Sequence, residues 1–113
     1  MLGFNHAFRG LFQMFRTERN FRVQIILFLL AIVFGFFFNI SSIHWLIILS
    51  ISALVLSLEI INSAIEKTCN LITTKKNPQV KRIKDISAAA VLLSSIFALV
   101  IGVLIFYPYL ISK

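Results

Sequence analysis

The chain has 113 residues, 59% of them apolar, and a mean hydropathy of +0.96, so it is long enough for one domain and too apolar for a soluble protein of this size. Lys and Arg outnumber Asp and Glu by 11 to 4, and the formal net charge of +7 favours contact with anionic lipid or a phosphorylated ligand. No Arg-rich recognition element supports nucleic acid, and one cysteine without a Cys/His cluster excludes an intrachain disulfide and a zinc site.

Residues 1–20 carry large apolar side chains at helical spacing, with arginines between them. The apolar positions are Phe4, Phe8, Leu11, Phe12 and Phe15, and the arginines are Arg9, Arg16 and Arg19. This pattern predicts an amphipathic surface helix on the cytoplasmic face of the membrane. A helix that packs over one end of a bundle has the same pattern, and both interpretations stay open.

Three apolar runs follow, at residues 23–38, 43–65 and 86–107. At a rise of about 1.5 Å per residue, about 20 residues cross a hydrocarbon core of about 30 Å. The second and third runs are therefore long enough to span a membrane, and the first needs residues from its flanks. The predicted fold class is an all-α integral membrane protein, with residues 1–113 as a single domain.

The distribution of basic residues predicts the orientation of the spans. The loop 67–85 between the second and third spans carries six Lys and Arg residues, whereas the link between the first two spans is uncharged. By the positive-inside rule the basic loop is cytoplasmic, which places the N-terminus inside and the C-terminus outside. Trp45, Tyr107 and Tyr109 then form an aromatic belt at the outer interface.

The third span carries small residues spaced by three or four. They are Ser87, Ala90, Ser94, Ala98 and Gly102. Small side chains let helices approach closely in lipid, either within one chain or between copies of it. A bundle of three helices with polar faces favours oligomerisation, although composition does not fix the number of copies.

The acidic residues converge on one end of the predicted bundle. They are Glu18, Glu59, Glu66 and Asp85, and each lies at or near the cytoplasmic mouth. Asn62 and Glu66 follow Glu59 at i+3 and i+7, and Asn70 follows at i+11, so the spacing predicts one helical face. An ionisable side chain within a membrane costs about 2.5 to 3.5 kcal/mol on insertion scales and normally faces a partner or a wet cavity.

Carboxylates beside a basic loop indicate a metal-bound nucleotide. Oxygen ligands suit Mg²⁺ and ammonium groups suit phosphate oxygens, so the pattern predicts a metal–nucleotide site at the membrane surface. The sequence has no GxxxxGK[ST], HRD, GxSxG or HExxH motif, so any phosphoryl transfer uses neither common nucleotide fold. A purely structural interpretation competes, in which Glu66 pairs with Lys67 or Lys84 while Glu59 stays protonated.

Three motifs resemble the small trimeric membrane lipid kinases of bacteria, which include diacylglycerol kinase and undecaprenol kinase. They are FRTERNFR at 15–22, LEIINSAIE at 58–66, which is similar to the family's E-x-x-N-[ST]-A-I-E signature, and KDISAAAVL at 84–92. The segments RTERNF, IHW and IGVLIFYP are more similar to the undecaprenol kinase branch. The resemblance implies phosphorylation of a membrane lipid's primary hydroxyl by MgATP. It also implies a homotrimer in the bacterial cytoplasmic (inner) membrane, with active sites shared between neighbours.

The resemblance further implies a role for each candidate site residue. Glu59 matches the general base that acts on the lipid hydroxyl. Glu66 and Glu18 match ligands of the metal and the nucleotide, and Asn62 matches the polar residue between base and metal. The remaining matches are Lys84, Asp85 and His6 on the nucleotide side and Arg22 on the lipid side.

The chain departs from the family pattern at three positions. Asn70 stands where the family commonly has Asp, and Thr74 and Asn77 stand where a D-x-x-H-P pattern has Asp and His. Either cationic charge holds the phosphates more strongly here, or nucleotide affinity or selectivity is altered.

These departures leave a second class of function open, a noncatalytic membrane lipid-binding or assembly protein that keeps the kinase fold. A small cation transporter is a third class, because carboxylates in a span can form an ion path. The predicted outer half of the membrane contains no acidic residue, which argues against that class.

Overall fold

A computed structural model describes residues 2–112, apart from the side chain of Leu2, as an all-helical protein. Within that range the helices are α1 (Leu2–Thr17), α2 (Arg19–Phe38), α3 (Ser42–Ile72) and α4 (Pro78–Ile111). The last three helices are long and apolar enough to cross a membrane, which confirms the predicted all-α integral membrane fold. Met1 and Lys113, the two ends of the predicted 1–113 domain, lie outside the described residues.

The helices α3 and α4 extend well beyond the apolar runs that predicted them. The segment 67–85, predicted as a loop, is helical at both ends, and only residues 73–77 connect the two helices. Lys, Arg and Glu are good helix formers, so a change from apolar to charged residues does not end a helix. The start of α4 is fixed by Asn77, whose side-chain oxygen accepts the N–H groups of Gln79 and Val80 at 2.9 and 3.2 Å.

The chain turns between α1 and α2 at a single residue, Glu18, which has an extended backbone. The guanidinium of Arg22 donates to the backbone carbonyls of Phe15 and Arg16, both at 3.0 Å, and so closes the end of α1. Met14 is buried, whereas the apolar residues that predicted an amphipathic helix are exposed. This exposed apolar face suits either a membrane surface or a neighbouring helix.

The opposite connection, between α2 and α3, is a tight reversal. Asn39 has a left-handed backbone (φ 53°), and the N–H groups of Asn39 and Ile40 donate to the carbonyls of Phe36 and Gly35. This pair of hydrogen bonds forms a Schellman motif, which ends α2. The side chain of Ser41 then caps α3, so the chain reverses direction within three residues.

The aromatic residues predicted at the outer interface include Trp45 and Tyr109, which lie at this same end of the bundle. Trp45 packs so closely on Gly35 that a Cβ atom added there would lie 2.5 Å from the indole ring. The hydroxyl of Tyr109 accepts the backbone N–H of Ser41 at 3.3 Å and hydrogen-bonds with Nδ1 of His44 at 3.0 Å. These contacts join the α2–α3 reversal to the end of α4.

The small residues of the third span divide between packing and exposure. Ser94 is buried, and the hydroxyl of Ser87 donates to Asn62 of α3 at 2.7 Å, whereas Ala90 is exposed. Large apolar side chains cover the outer surfaces of the spans, as expected for helices that face lipid.

Candidate functional site

The site lies where α1 joins α2 and where α3 leaves the apolar part of the bundle. Glu59 of α3 is buried, with 4% of its surface exposed, and Glu18 approaches from the α1–α2 junction. Lys67 of α3 binds Glu18 through an ion pair of 2.9 Å between Nζ and Oε2. The α1–α2 junction and α3, which are distant in sequence, are therefore brought together here.

The polar residues near the end of α3 form two neighbouring rows rather than one face. Residues at i, i+4 and i+8 lie one above another along a helix. The first row contains Glu59, Ser63 and Lys67, and it faces α2 and the α1–α2 junction. The second row contains Asn62, Glu66 and Asn70, and its two asparagines face α4. The sequence predicted one polar face on this helix, and the structure shows two adjacent rows that contact different helices.

The first row joins the deepest acid to the surface. The amide Nε2 of Gln24, on α2, donates to Oε1 of Glu59 at 3.3 Å. One turn along α3, the buried hydroxyl of Ser63 accepts from Nζ of Lys67 at 3.0 Å, and the same Nζ donates to Glu18. This row therefore begins at a buried carboxylate and ends at an ion pair on the surface.

The ion pair favours the ionised form of Glu18. The hydrogen bond and positive charge of the Lys67 ammonium lower the pKa of the Glu18 carboxyl, although partial burial acts in the opposite direction. The hydroxyl of Thr17 donates a further hydrogen bond of 3.2 Å to the same carboxylate. Glu18 is therefore ionised at neutral pH.

The second row contacts α4 at two levels. Asn62, which is buried, accepts a hydrogen bond from Ser87, and farther along the row Oδ1 of Asn70 accepts from Nζ of Lys84 at 2.7 Å. Glu66 is half-buried between these two contacts. Among residues 2–112 no ion pair joins Glu66 to Lys67 or Lys84, so the alternative pairing considered for the sequence is not present in this structure.

Three further predicted site residues, Asp85, His6 and Arg22, bind groups outside the two rows. Asp85 is exposed on α4 and binds Lys81 at 2.8 Å. His6 is exposed on α1, where its Nδ1 lies 3.3 Å from a guanidinium nitrogen of Arg9. Arg22 closes the end of α1 through its hydrogen bonds to backbone carbonyls. The ligand roles of these residues stay predictions.

A magnesium ion fits the type of ligand available here. The described part of the chain contains no cluster of three or more His, Cys, Asp or Glu side chains that could hold a metal. Mg²⁺ at nucleotide sites commonly takes one or two carboxylates and completes its shell with phosphate oxygens and water. Glu18 and Glu66 can supply two carboxylates. In this structure Lys67 neutralises the charge of Glu18 through their ion pair.

Sequence reasoning gave no role to three residues that bind the predicted site residues. Lys67 was counted only as a basic residue or as a partner of Glu66, and Ser87 only as a small residue of the third span. Gln24 was overlooked, although it is the one polar side chain in the run 23–38. An isolated polar residue in an apolar span is the signal that would have found it.

An apolar groove leads away from Gln24 between α2, α3 and α4. Its volume is about 550 Å³, and its walls are almost entirely apolar, with Phe28, Val55, Leu99 and Phe106 among them. The groove is partly open to the outside of the bundle, and Gln24 is one of its lining residues.

Comparison with known proteins relates this arrangement to a family. The family model described as prokaryotic diacylglycerol kinase matches residues 5–106. The undecaprenol kinase of Bacillus subtilis (strain 168) is 41% identical over 107 residues, which cover 95% of this chain and 87% of that protein. The diacylglycerol kinase of Escherichia coli (strain K12) is 32% identical over 95 residues, which cover 84% and 78%. The diacylglycerol kinase of Synechocystis sp. is 30% identical over 113 residues, which cover 99% of this chain and 65% of that protein.

Proposed function

The chain belongs to the prokaryotic diacylglycerol kinase family, and from this premise we propose that it phosphorylates the primary hydroxyl of undecaprenol with ATP. Membership confirms the resemblance found in the sequence and makes the chain a membrane lipid kinase, a transferase of lipid metabolism. The observation that carries the site assignment is the order of residues along α3. Glu59 is buried in the apolar part of the bundle, and the charged Lys67 lies two turns farther along, at the exposed end of the helix.

Glu59 is the proposed general base. Its carboxylate lies below the polar end of α3 and close to Gln24, which lines the groove that is open to lipid. A lipid hydroxyl that reaches this point gives its proton to Glu59 while its oxygen attacks the γ-phosphorus of ATP. The bond from the γ-phosphorus to the bridging oxygen then breaks, ADP leaves, and Glu59 releases the proton to water. Positioning and charge neutralisation carry most of such a reaction.

The nucleotide is proposed to bind at the hydrated end of the same helices. Lys84 supplies positive charge for the phosphates, and Asp85 follows it in the sequence. His6 is assigned to the nucleotide side from the family resemblance alone. Asn62 separates the lipid end from the nucleotide end, and its hydrogen bond with Ser87 fixes its amide. Arg22 is proposed on the lipid side, and its guanidinium also closes the end of α1.

Glu66 and Glu18 would hold Mg²⁺ together with the phosphate oxygens of ATP. When bound, the ion neutralises charge that develops on the transferring phosphoryl group. Lys67, whose ammonium donates to Glu18 and Ser63, would add positive charge for the phosphate oxygens beside this ion.

Undecaprenol is preferred over diacylglycerol as the acceptor. The identity to a protein named undecaprenol kinase is 41%, against 32% and 30% to two proteins named diacylglycerol kinase. The site is proposed to face the cytoplasm of a bacterial inner membrane, with the N-terminus inside and the C-terminus outside. A homotrimer with shared sites is proposed from the family resemblance, and the exposed Ala90 on α4 supports contact between copies.

The test incubates the purified protein in mixed micelles with MgATP and, separately, with undecaprenol and diacylglycerol. The expected result is phosphate transfer to both or to undecaprenol alone, with the higher kcat/KM for undecaprenol. A higher kcat/KM for diacylglycerol would overturn the preferred acceptor. Transfer to neither lipid would favour the alternative of a noncatalytic lipid-binding or assembly protein, which Asn70, Thr74 and Asn77 motivate.

A further inference from the structure

Gln24 is a polar side chain in a place where apolar residues surround it. It lies on α2 six residues after Glu18, about 9 Å farther along the helix. Its Nε2 donates to Oε1 of Glu59 at 3.3 Å. Its carbonyl oxygen Oε1 is buried and has no hydrogen-bond partner among the described residues.

A buried amide oxygen without a donor is unfavourable, because the oxygen has lost water and gained nothing in exchange. A Leu or Ile, like the residues around it, would avoid this cost. A glutamine at this position therefore needs a benefit that an apolar side chain cannot supply. One part of that benefit is visible in its hydrogen bond to Glu59.

The second part concerns the free carbonyl oxygen. Gln24 lines the apolar groove between the spans, and the groove opens on the flank of the bundle. Ser52, Ser95 and Tyr107 also line the groove, but none of their hydroxyls bonds this oxygen, so a donor for it must arrive with a molecule that enters the groove. An alcohol lipid, the acceptor in the proposed reaction, carries such a donor in its hydroxyl group.

We propose that Gln24 both orients Glu59 and binds the hydroxyl of the acceptor lipid. Its amide N–H fixes one oxygen of the Glu59 carboxylate, and its carbonyl receives the lipid O–H before that proton passes to the other carboxylate oxygen. Gln24 itself gains and loses no proton. The inference rests on the proposed lipid-kinase function and adds to it a residue on α2 that selects for a hydroxyl at the end of an apolar chain.

The charged groups around Glu59 are known, which makes a pH-dependent test possible. Glu66 on the same helix and Glu18 from the α1–α2 junction both act on the Glu59 carboxylate through like charge. Lys67 is bound to Glu18, and the contact of this region with α4 is between the neutral side chains of Asn62 and Ser87. A substitution at position 24 leaves all of these groups in place.

The test compares Gln24→Met, which keeps length and volume but loses the amide, with Asn20→Leu, a polar-to-apolar change at an exposed position one turn earlier. The rate is measured against pH in mixed micelles, with lipid and ATP varied separately. In Gln24→Met the acid limb of the kcat profile should move to higher pH by about one unit or more, because the carboxylate loses a donor. The KM for lipid should rise about fivefold.

The KM for ATP should stay within about twofold of wild type in both variants, and Asn20→Leu should leave the acid limb unmoved. Gln24→Glu should move the limb further, because a second carboxyl would then lie beside Glu59. The position of the limb does not depend on how much of the protein is folded, so a loss of yield does not imitate this result.

An unmoved acid limb with an unchanged lipid KM in Gln24→Met would overturn the inference and leave the lipid kinase intact. A wild-type protein that transfers phosphate to no lipid would remove the proposed function and this inference with it. If Gln24→Met is inactive, infrared titration of the Glu59 carboxyl, identified by its loss in Glu59→Gln, replaces the rate. A titration identical to that of the wild type would then overturn the inference.

Discussion

The ammonium of Lys84 lies 2.7 Å from the side-chain oxygen of Asn70, across the short connection between α3 and α4. This contact gives a physical meaning to one departure from the family pattern. A neutral amide holds the lysine in place without cancelling its charge, whereas a carboxylate at the same position would form an ion pair with it.

Replacing Asn70 with Asp should therefore weaken nucleotide binding. In Asn70→Asp the carboxylate would neutralise Lys84 and hold it away from the phosphates, and we expect the KM for ATP to rise about threefold or more. Asn70→Ala is the matched control and should stay near wild type, because the lysine charge is then free. A lower KM in Asn70→Asp would show instead that a carboxylate at this position is a useful ligand of the nucleotide site.

Breaking the ion pair between Glu18 and Lys67 should change how stability depends on pH. The pKa of Glu18 is lowered in the folded protein, so its contribution to stability is present at neutral pH and is lost as pH falls through the range in which the carboxyl protonates. Lys67→Met should remove this contribution, which is less than about 1 kcal/mol because solvent screens the pair.

The measurement for this pair is the thermal midpoint in detergent at neutral pH and at about pH 3, below the ordinary carboxyl range. Wild type should lose more stability on acidification than Lys67→Met. Lys81→Met, which breaks the more exposed pair with Asp85, serves as the control and should change the midpoint less. Equal acid sensitivity in wild type and Lys67→Met would show that the pair contributes nothing measurable.

The contact between Gly35 and Trp45 predicts a clear difference between two glycine substitutions. A methyl group at Gly35 would lie 2.5 Å from the Trp45 ring, so the ring or the helices around it would have to shift, and overpacking of this kind costs about 1 to 3 kcal/mol. Gly102 is also in a span, and a Cβ there meets nothing within 4 Å. Thermal unfolding should show a lower midpoint for Gly35→Ala and an unchanged or higher one for Gly102→Ala; the reverse order would contradict the packing described.

The second row of α3 leads to a prediction about the metal. Glu66→Gln keeps the shape of the side chain but removes the charge proposed to hold Mg²⁺, so Mg²⁺-dependent binding of ATP should weaken by about tenfold or more. Titration of the nucleotide at several Mg²⁺ concentrations measures this effect directly. The control is Glu59→Gln, in which the same titration should be close to wild type. Equal nucleotide binding in Glu66→Gln and wild type would rule out Glu66 as a metal ligand.

The sequence was sufficient to predict the three spans, because they depend on a local pattern of hydropathy. Glu59, Asn62 and Glu66 share one helix, and helical spacing alone relates them. The lengths of α3 and α4 were underestimated because Lys67 and Lys84, although polar, are compatible with helix.

Contacts between helices could not be predicted from the same patterns. The hydrogen bond from Gln24 to Glu59 joins residues 35 positions apart, and it depends on how α2 is rotated against α3. The partner of Glu18 likewise depends on the sharp turn at the end of α1, which brings the carboxylate to Lys67 rather than to a residue nearer in sequence. Such rotations follow from packing in three dimensions, where small residues such as Gly35 decide how closely two helices approach.

The most direct test of the proposed mechanism is the turnover of Glu59→Gln, measured beside its binding of MgATP in the same micelles. A general base contributes about 10² to 10⁴ to a rate, so kcat should fall by at least about a hundredfold. The affinity for MgATP should stay within about threefold of wild type, because the nucleotide is proposed to bind farther along α3. Turnover near the wild-type rate in Glu59→Gln would contradict the assignment of this buried carboxylate as the base.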